Sequence, residues 1–341
     1  CIFCSAYNGR LMNRKRIVSG IRPTGDLHIG HYLGVLKNWV ELQKEYPCFY
    51  FTADWHALTS EYRDPSVIRK SSRDMVMIWL SVGIDPNASV IFRQSDIKSH
   101  AELFLLLSMI TPVSWLERNP TYKELKEELK EKDLSNLGFL GYPVLQAADI
   151  VMYHADKVPI GEDQLPHLEL TREIVRRFNF IYGEGILKEP REILTEAARV
   201  LGIDGRKMSK SYGNAIFIYE TEESIRQKVM QMFTDVKRLR KKDPGEPKDC
   251  NLYPLHEYFT DEEKRREIQA GCRSAGLGCV ECKQILIRNL ISEFKPIWEK
   301  IDYYRDHPSQ VDEILDQGAR RASEESEATM QKVRAAMRMS G

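Results

Sequence analysis

The chain has 341 residues, of which 42% are hydrophobic and 29% charged, the balance of an ordinary folded protein. That length suggests about two domains, and the composition excludes a disordered chain, a collagen-like repeat and a small disulfide scaffold. With 50 Lys+Arg against 50 Asp+Glu the formal net charge is zero, which excludes a protein basic over its whole surface but leaves room for a local basic face.

Residues 1–15 hold Arg10, Arg14 and Lys15 with no acid and are read as an extension outside the fold. From Arg16 to Ile21 the sequence predicts a short strand, followed by a turn at Pro23-Thr24-Gly25. Leu33, Leu36, Val40 and Leu42 then mark a helix. Cys48 to Ala53 is a nearly continuous apolar run, expected of a strand covered on both faces. A helix over Val67 to Val82 leads to a third strand at Val90 to Phe92. This alternation predicts an α/β fold with a Rossmann-like, doubly wound parallel sheet. The longest apolar candidate for a membrane span, Leu103 to Ile110, stops at Thr111-Pro112 and reads as a buried helix. Tyr122 to Lys132 is charge-rich and reads as a solvated helix, and Val158 to Ile160 is a strand leading through Gly161 to Gln164 into a helix ending near Phe178. Beyond about residue 220 the strand signals fade, and Ile285 to Ile301 and Val311 to Met339 predict long helices.

Two motifs carry chemistry. His28-Ile29-Gly30-His31 opens the first helix just after the first strand. A helix N-terminus offers free N–H groups to a phosphate; two histidines there can donate further hydrogen bonds, and Gly30 lets a flat base approach the backbone. Lys207-Met208-Ser209-Lys210-Ser211 begins 179 residues after His28, between Gly205 and Gly213. Two lysines in such a loop can neutralise the charge that builds on a leaving pyrophosphate.

In this order the two motifs resemble the HIGH and KMSKS signatures of the class I aminoacyl-tRNA synthetases. The resemblance extends through Gly20 to Gly25, Ala53 to Ala57, Tyr142 to Ile150 and Gly161 to Gln164, which are similar to bacterial-type tryptophanyl-tRNA synthetases. It implies a Rossmann-like catalytic domain over 16–219 and a helical anticodon-recognition domain over 220–341. It also implies ATP with Mg²⁺, tRNA(Trp), a homodimer and a cytoplasmic location. By the same resemblance, His28, His31, Lys207 and Lys210 are catalytic, and Arg22, Gly30, Gly161, Asp163, Met208 and Ser209 join them around ATP. Asp149 matches the acceptor of the indole N–H, a fitting partner for a group that only donates. Tyr142 and Gln164 match residues on the ammonium group, and His56, Gln146 and Ile160 complete the tryptophan set. Lys123 and Lys126 lie where an ATP-contacting lysine is expected. Gln146 stands where many relatives carry methionine and Arg22 where some carry glutamine, so a more polar pocket is expected. Gln146 with Asp149 is also similar to the glutamine–aspartate pair of tyrosyl-tRNA synthetases, which makes tyrosine the runner-up substrate. A non-catalytic synthetase-like RNA-binding protein is the alternative from a different class.

Of seven cysteines, Cys250, Cys272, Cys279 and Cys282 form a C-x21-C-x6-C-x2-C pattern. Four thiolates suit Zn²⁺ or an iron–sulfur cluster. The resemblance favours a subgroup that carries a [4Fe–4S] cluster on nearly this spacing, with one more residue in the first gap. Lys237, Arg238, Arg240, Lys241 and Lys242 place five positive charges within six residues, a candidate tRNA-phosphate contact.

Overall fold

In the computed structural model, residues 15–120, 136–194, 200–238, 240 and 242–339 are described. The expected helix over 122–132, with Lys123 and Lys126, and the basic residue Lys241 lie outside them. The chain divides into two compact units. Unit 1 comprises 1–25, 39–196 and 307–341, and unit 2 comprises 26–38 and 197–306.

Unit 1 holds a five-stranded sheet in the order β3-β2-β1-β4-β5. Its strands are β1 (Ile17–Ile21), β2 (Cys48–Thr52), β3 (Ser89–Arg93), β4 (Lys157–Ile160) and β5 (Arg191–Leu194). All neighbours are parallel, the topology of a doubly wound, Rossmann-like fold. Every residue of β2 is buried, as its apolar run requires. β5 was not legible in the sequence, since its four residues are polar or partly exposed. The helices of this unit include α1 (Asp54–Glu61), α2 (Ser66–Val82), α3 (Ser99–Ser108), α4 (Leu137–Met152) and α5 (Leu165–Tyr182). α4 runs through Pro143 with no break, because the apolar face around it is buried on every turn.

Unit 2 is helical, with α6 (Glu222–Gln231), α7 (Tyr253–Phe259), α8 (Glu262–Arg273) and the long α9 (Cys279–Asp306). The last helix, α10 (Pro308–Ala336), belongs to unit 1 rather than to this helical region. It lies directly on β3: a side-chain carbon on Gly318 would stand 1.7 Å from the Ile91 carbonyl oxygen. Only glycine permits that approach. Arg73 with Asp312 and Arg334 with Glu102 pair α10 to α2 and α3. Among the described residues no helix is long and apolar enough to cross a membrane.

Candidate active site

Four strands of the sheet deliver candidate site residues from their carboxyl ends, where an open α/β sheet takes its ligands. β1 leads to Arg22, β2 to His56 on α1, β3 to Gln94, and β4 ends at Ile160 before Gly161, Asp163 and Gln164. Tyr142, Gln146 and Asp149 fall four and three residues apart on α4, so they share one helix face.

Asp149 is 2% exposed, and its carboxylate is surrounded by donors. The His56 Nε2 lies 2.8 Å from one oxygen and the His100 Nδ1 lies 2.6 Å from the other. The Gln94 amide donates to both at 2.8 Å. Gln94 cannot turn round, because its Oε1 accepts the backbone N–H of Trp55 at 3.1 Å. Asp54 binds the same two elements together by accepting the Trp55 and Ser95 amides. Burial alone would raise the Asp149 pKa; the hydrogen bonds from His100 and His56 outweigh it and hold the carboxyl below its ordinary value. Since the carboxylate accepts, His100 carries its proton on Nδ1, and its Nε2 accepts from the Tyr153 hydroxyl at 2.6 Å. Burial, then the charge of Asp149, pushes Tyr153 far above the usual phenol range, so that hydroxyl keeps its proton. Tyr142 bonds the His167 Nε2 at 2.8 Å, and burial pushes His167 down to about 4.

Gln94, His100 and Tyr153 were missed from the sequence. The signal was present for Gln94, which follows β3 as Arg22 follows β1. The side-chain amide on Asp149 comes from Gln94.

The two signatures belong to unit 2. His28 caps the short helix Ile29–His31: its Nδ1 accepts the Gly30 amide at 3.0 Å, and the His31 Nδ1 accepts the His28 amide at 3.2 Å. Both Nδ1 atoms are thus acceptors, which puts the proton of each neutral ring on Nε2. Burial pushes His28 down to about 4 and, with help from His28, His31 to about 3. The pair can therefore donate hydrogen bonds without carrying charge at neutral pH. A side-chain carbon on Gly30 would meet the His28 ring at 2.8 Å, so this glycine also serves the histidine cap.

The chain beyond the second signature pairs with the first. The Ile29 amide donates to the Ile216 carbonyl, Ile218 to Leu27, and His28 bridges Phe217. Within the loop, Asn214 accepts the Ser209 amide at 2.8 Å and donates to Asp204 at 2.7 Å and to the Lys207 carbonyl at 3.2 Å. Met208 is buried, whereas Lys207 and Lys210 are exposed. No pattern in the sequence singles out Asn214.

A family model described as tRNA synthetases class I (W and Y) matches residues 12–295. The chain belongs to this family. This class I synthetase is 52% identical over 326 residues to the tryptophan–tRNA ligase of Thermotoga maritima, covering 95% of this chain and 99% of that protein. It is 46% identical over 392 residues to the enzyme of the same name from Ralstonia nicotianae, covering 95% and 98%. Among solved structures it is similar to tryptophanyl-tRNA synthetase from Campylobacter jejuni complexed with ADP and tryptophan. That match has a TM-score of 0.86 and 36% identity, and covers 94% of this chain and 99% of that one. The protein is an aminoacyl-tRNA ligase.

In this synthetase all four late cysteines line one apolar concavity of about 400 Å³, part of it open to solvent, with Thr234, Arg238 and Tyr253. Burial raises Cys250 and Cys272 and pushes Cys282 up to about 12. Among the described residues no group of three or more His, Cys, Asp or Glu is arranged to hold a single metal ion. Neither the expected [4Fe–4S] cluster nor its Zn²⁺ alternative therefore gains support from this geometry; the four thiols share the lining of one pocket. The basic run does not form one face. Arg238 turns inward, its Nη1 lying 3.7 Å from the Cys279 Sγ, and Lys237 pairs with Asp249. Arg240 and Lys242 are exposed.

Proposed function

We infer that this chain joins tryptophan to tRNA(Trp) through a tryptophanyl-adenylate. The observation that carries this reading is Asp149, a buried carboxylate kept anionic by fixed donors. An indole N–H only donates and an ionised carboxylate only accepts, so the two are complementary. The tryptophan carboxylate attacks the α-phosphorus of ATP, which enters as its Mg²⁺ complex. The bond to the β-phosphate oxygen breaks, and pyrophosphate leaves. The 2′-hydroxyl of the terminal adenosine of tRNA then takes the tryptophanyl group and AMP departs. No protein nucleophile is needed, so catalysis is positioning and charge stabilisation. His28 and His31 donate from Nε2 to phosphate oxygens, and Lys207 and Lys210 neutralise the departing pyrophosphate. Arg22, Gly30, Gly161, Asp163, Met208 and Ser209 complete the ATP set; His56, Tyr142, Gln146, Ile160 and Gln164 complete the tryptophan set.

Cys250, Cys272, Cys279 and Cys282 would hold a [4Fe–4S] cluster. Its support is their convergence on one apolar pocket beside the Arg238 guanidinium, a cation suited to a net negative Fe–S–thiolate centre. When bound, the cluster supplies an iron–thiolate tie between the segment around Cys250, α8 and α9. The helical part of unit 2 reads tRNA, with exposed Arg240 and Lys242 meeting phosphate. The protein works as a homodimer, a reading supported by exposed Leu105, Met109, Val113 and Leu137 around α3 and the start of α4.

Amino-acid-dependent pyrophosphate exchange with tryptophan and tyrosine side by side tests the reading. Exchange with tryptophan is expected; exchange with tyrosine alone, or tRNA binding without exchange, overturns it. A purified protein without iron and without visible absorbance that bleaches on reduction overturns the cluster.

A further inference from the structure

The Lys207–Ser211 loop and the four-cysteine pocket are held by the same two stretches of chain. Lys207 and Met208 of the loop lie on the returning arm of a hairpin whose arms are 200–202 and 206–208 and whose turn is 203–205. Leu201 bridges Lys207, Gly202 donates to the Arg206 carbonyl at 2.8 Å, and Met208 donates to the Val200 carbonyl at 2.9 Å. Asn251 grips the turn end of this hairpin, its Nδ2 donating to the carbonyls of Gly202 at 3.0 Å and Ile203 at 3.4 Å. Phe233 lies against Gly205 so closely that a side-chain carbon there would stand 2.5 Å from its Cζ. Each of these residues is joined covalently to a residue of the pocket wall. Cys250 precedes Asn251, and Thr234 follows Phe233.

Asn251 is 3% exposed, and its Oδ1 is buried with no hydrogen-bond partner among the described residues. A buried amide with one end unserved is held by what its other end does, and here that end serves only the hairpin carbonyls. We propose that Asn251 is a positioning residue for the Lys207–Ser211 loop and transmits the packing of the four-cysteine pocket to it. The part concerning what fills the pocket rests on the four-thiolate reading above. The physical route is short. A filled pocket fixes Cys250, and with it the backbone of Asn251. A shift of a few tenths of an ångström there degrades two hydrogen bonds whose strength falls steeply with geometry. A close-packed interior passes such a shift on rather than absorbing it.

The test uses the full chain and reads amide hydrogen exchange across 200–214 alongside tryptophan-dependent pyrophosphate exchange. Asn251→Ala is expected to speed exchange of the hairpin amides by about tenfold, the value of one lost hydrogen bond. It should lower kcat by a similar factor while KM for tryptophan stays within about twofold. Cys279→Ser, which alters the pocket and leaves Asn251 intact, is expected to give the same exchange signature. The double variant should be no faster than either single one, the mark of one shared path. Thr234→Ala repeats the comparison from another wall residue if Cys279→Ser does not fold. Wild-type exchange in the hairpin of the pocket variants, or full addition in the double variant, overturns the coupling. Absence of iron from the wild type overturns only the cluster reading, since the pocket variants still report on the hairpin.

Discussion

Gln94 donates to both carboxylate oxygens of Asp149, and the Trp55 backbone amide prevents it from turning round. A single neutral side chain thus joins the end of β3, the start of α1 and the buried Asp149 carboxylate on α4. Gln94→Glu replaces the donor by a second acceptor and sets two carboxylates against each other in a buried site. Unpaired buried charge costs about 3–5 kcal/mol, so kcat/KM for tryptophan in pyrophosphate exchange should fall by at least about 100-fold. A variant within about threefold of wild type would show that the amide does not orient Asp149.

Lys210→Ala should slow adenylate formation by about 100-fold, the scale for losing one preorganised charge-stabilising contact. Tryptophan binding, read by equilibrium fluorescence, should change by less than about twofold, because Lys210 serves the leaving group. Equal losses in rate and binding would place it in ground-state binding instead.

The histidine turn makes a prediction about ring atoms. Glutamine can place an amide donor near the Nε2 position, whereas asparagine keeps an oxygen near Nδ1, the atom that caps the Gly30 amide. If donation to phosphate is what matters, His28→Gln should retain about tenfold more exchange activity than His28→Asn. The reverse order would make the cap the principal role.

Stability should fall with acid in two windows. His28 and His167 are pushed by burial from 6.5 to about 4, so the unfolded chain binds their protons first. Their contribution is complete above pH 6.5 and is lost as pH falls through about 4. Asp149 lies below its ordinary 3.8, so its contribution is complete above that value and is lost at still lower pH. Urea midpoints measured from pH 7.5 to 3 should decline across the first window, and His167→Gln should decline less. A His167→Gln profile parallel to wild type would remove that histidine from the account.

Gly318→Ala forces a methyl group into the Ile91 carbonyl. Overpacking of this kind costs about 3 kcal/mol when neither backbone can yield. The expected outcome is a lower urea midpoint with an unchanged slope and near-normal KM for tryptophan in the folded fraction. An unchanged midpoint would mean that α10 slides on β3 without loss.

Much of this was legible from local pattern. Buried β2 announces itself by its unbroken apolar run, and α2 and α9 by their spacing. β5, two charged residues followed by Ile193 and Leu194, is too short and too exposed to show a strand pattern, and as an edge strand it pairs with one neighbour only. The Asp149 acceptor followed from a motif, but Gln94 and His100 came from other elements 55 and 49 residues away in sequence. No periodicity links such residues; the parallel sheet does, by bringing strand ends to one edge.

A zero net charge leaves room for a local basic face, and among the described residues of the basic run Arg238 turns to the thiols and Lys237 to Asp249. The sequence by itself determined which chemical groups are present: two signature motifs, a carboxylate in an apolar helix and four soft thiols, each legible from residue type and spacing. Only the tertiary structure decided how those groups are held. The protonation of a buried carboxylate, the tautomer of a histidine and the partner of a cation all depend on donors and low-dielectric surroundings supplied by distant segments, and folding alone sets those distances.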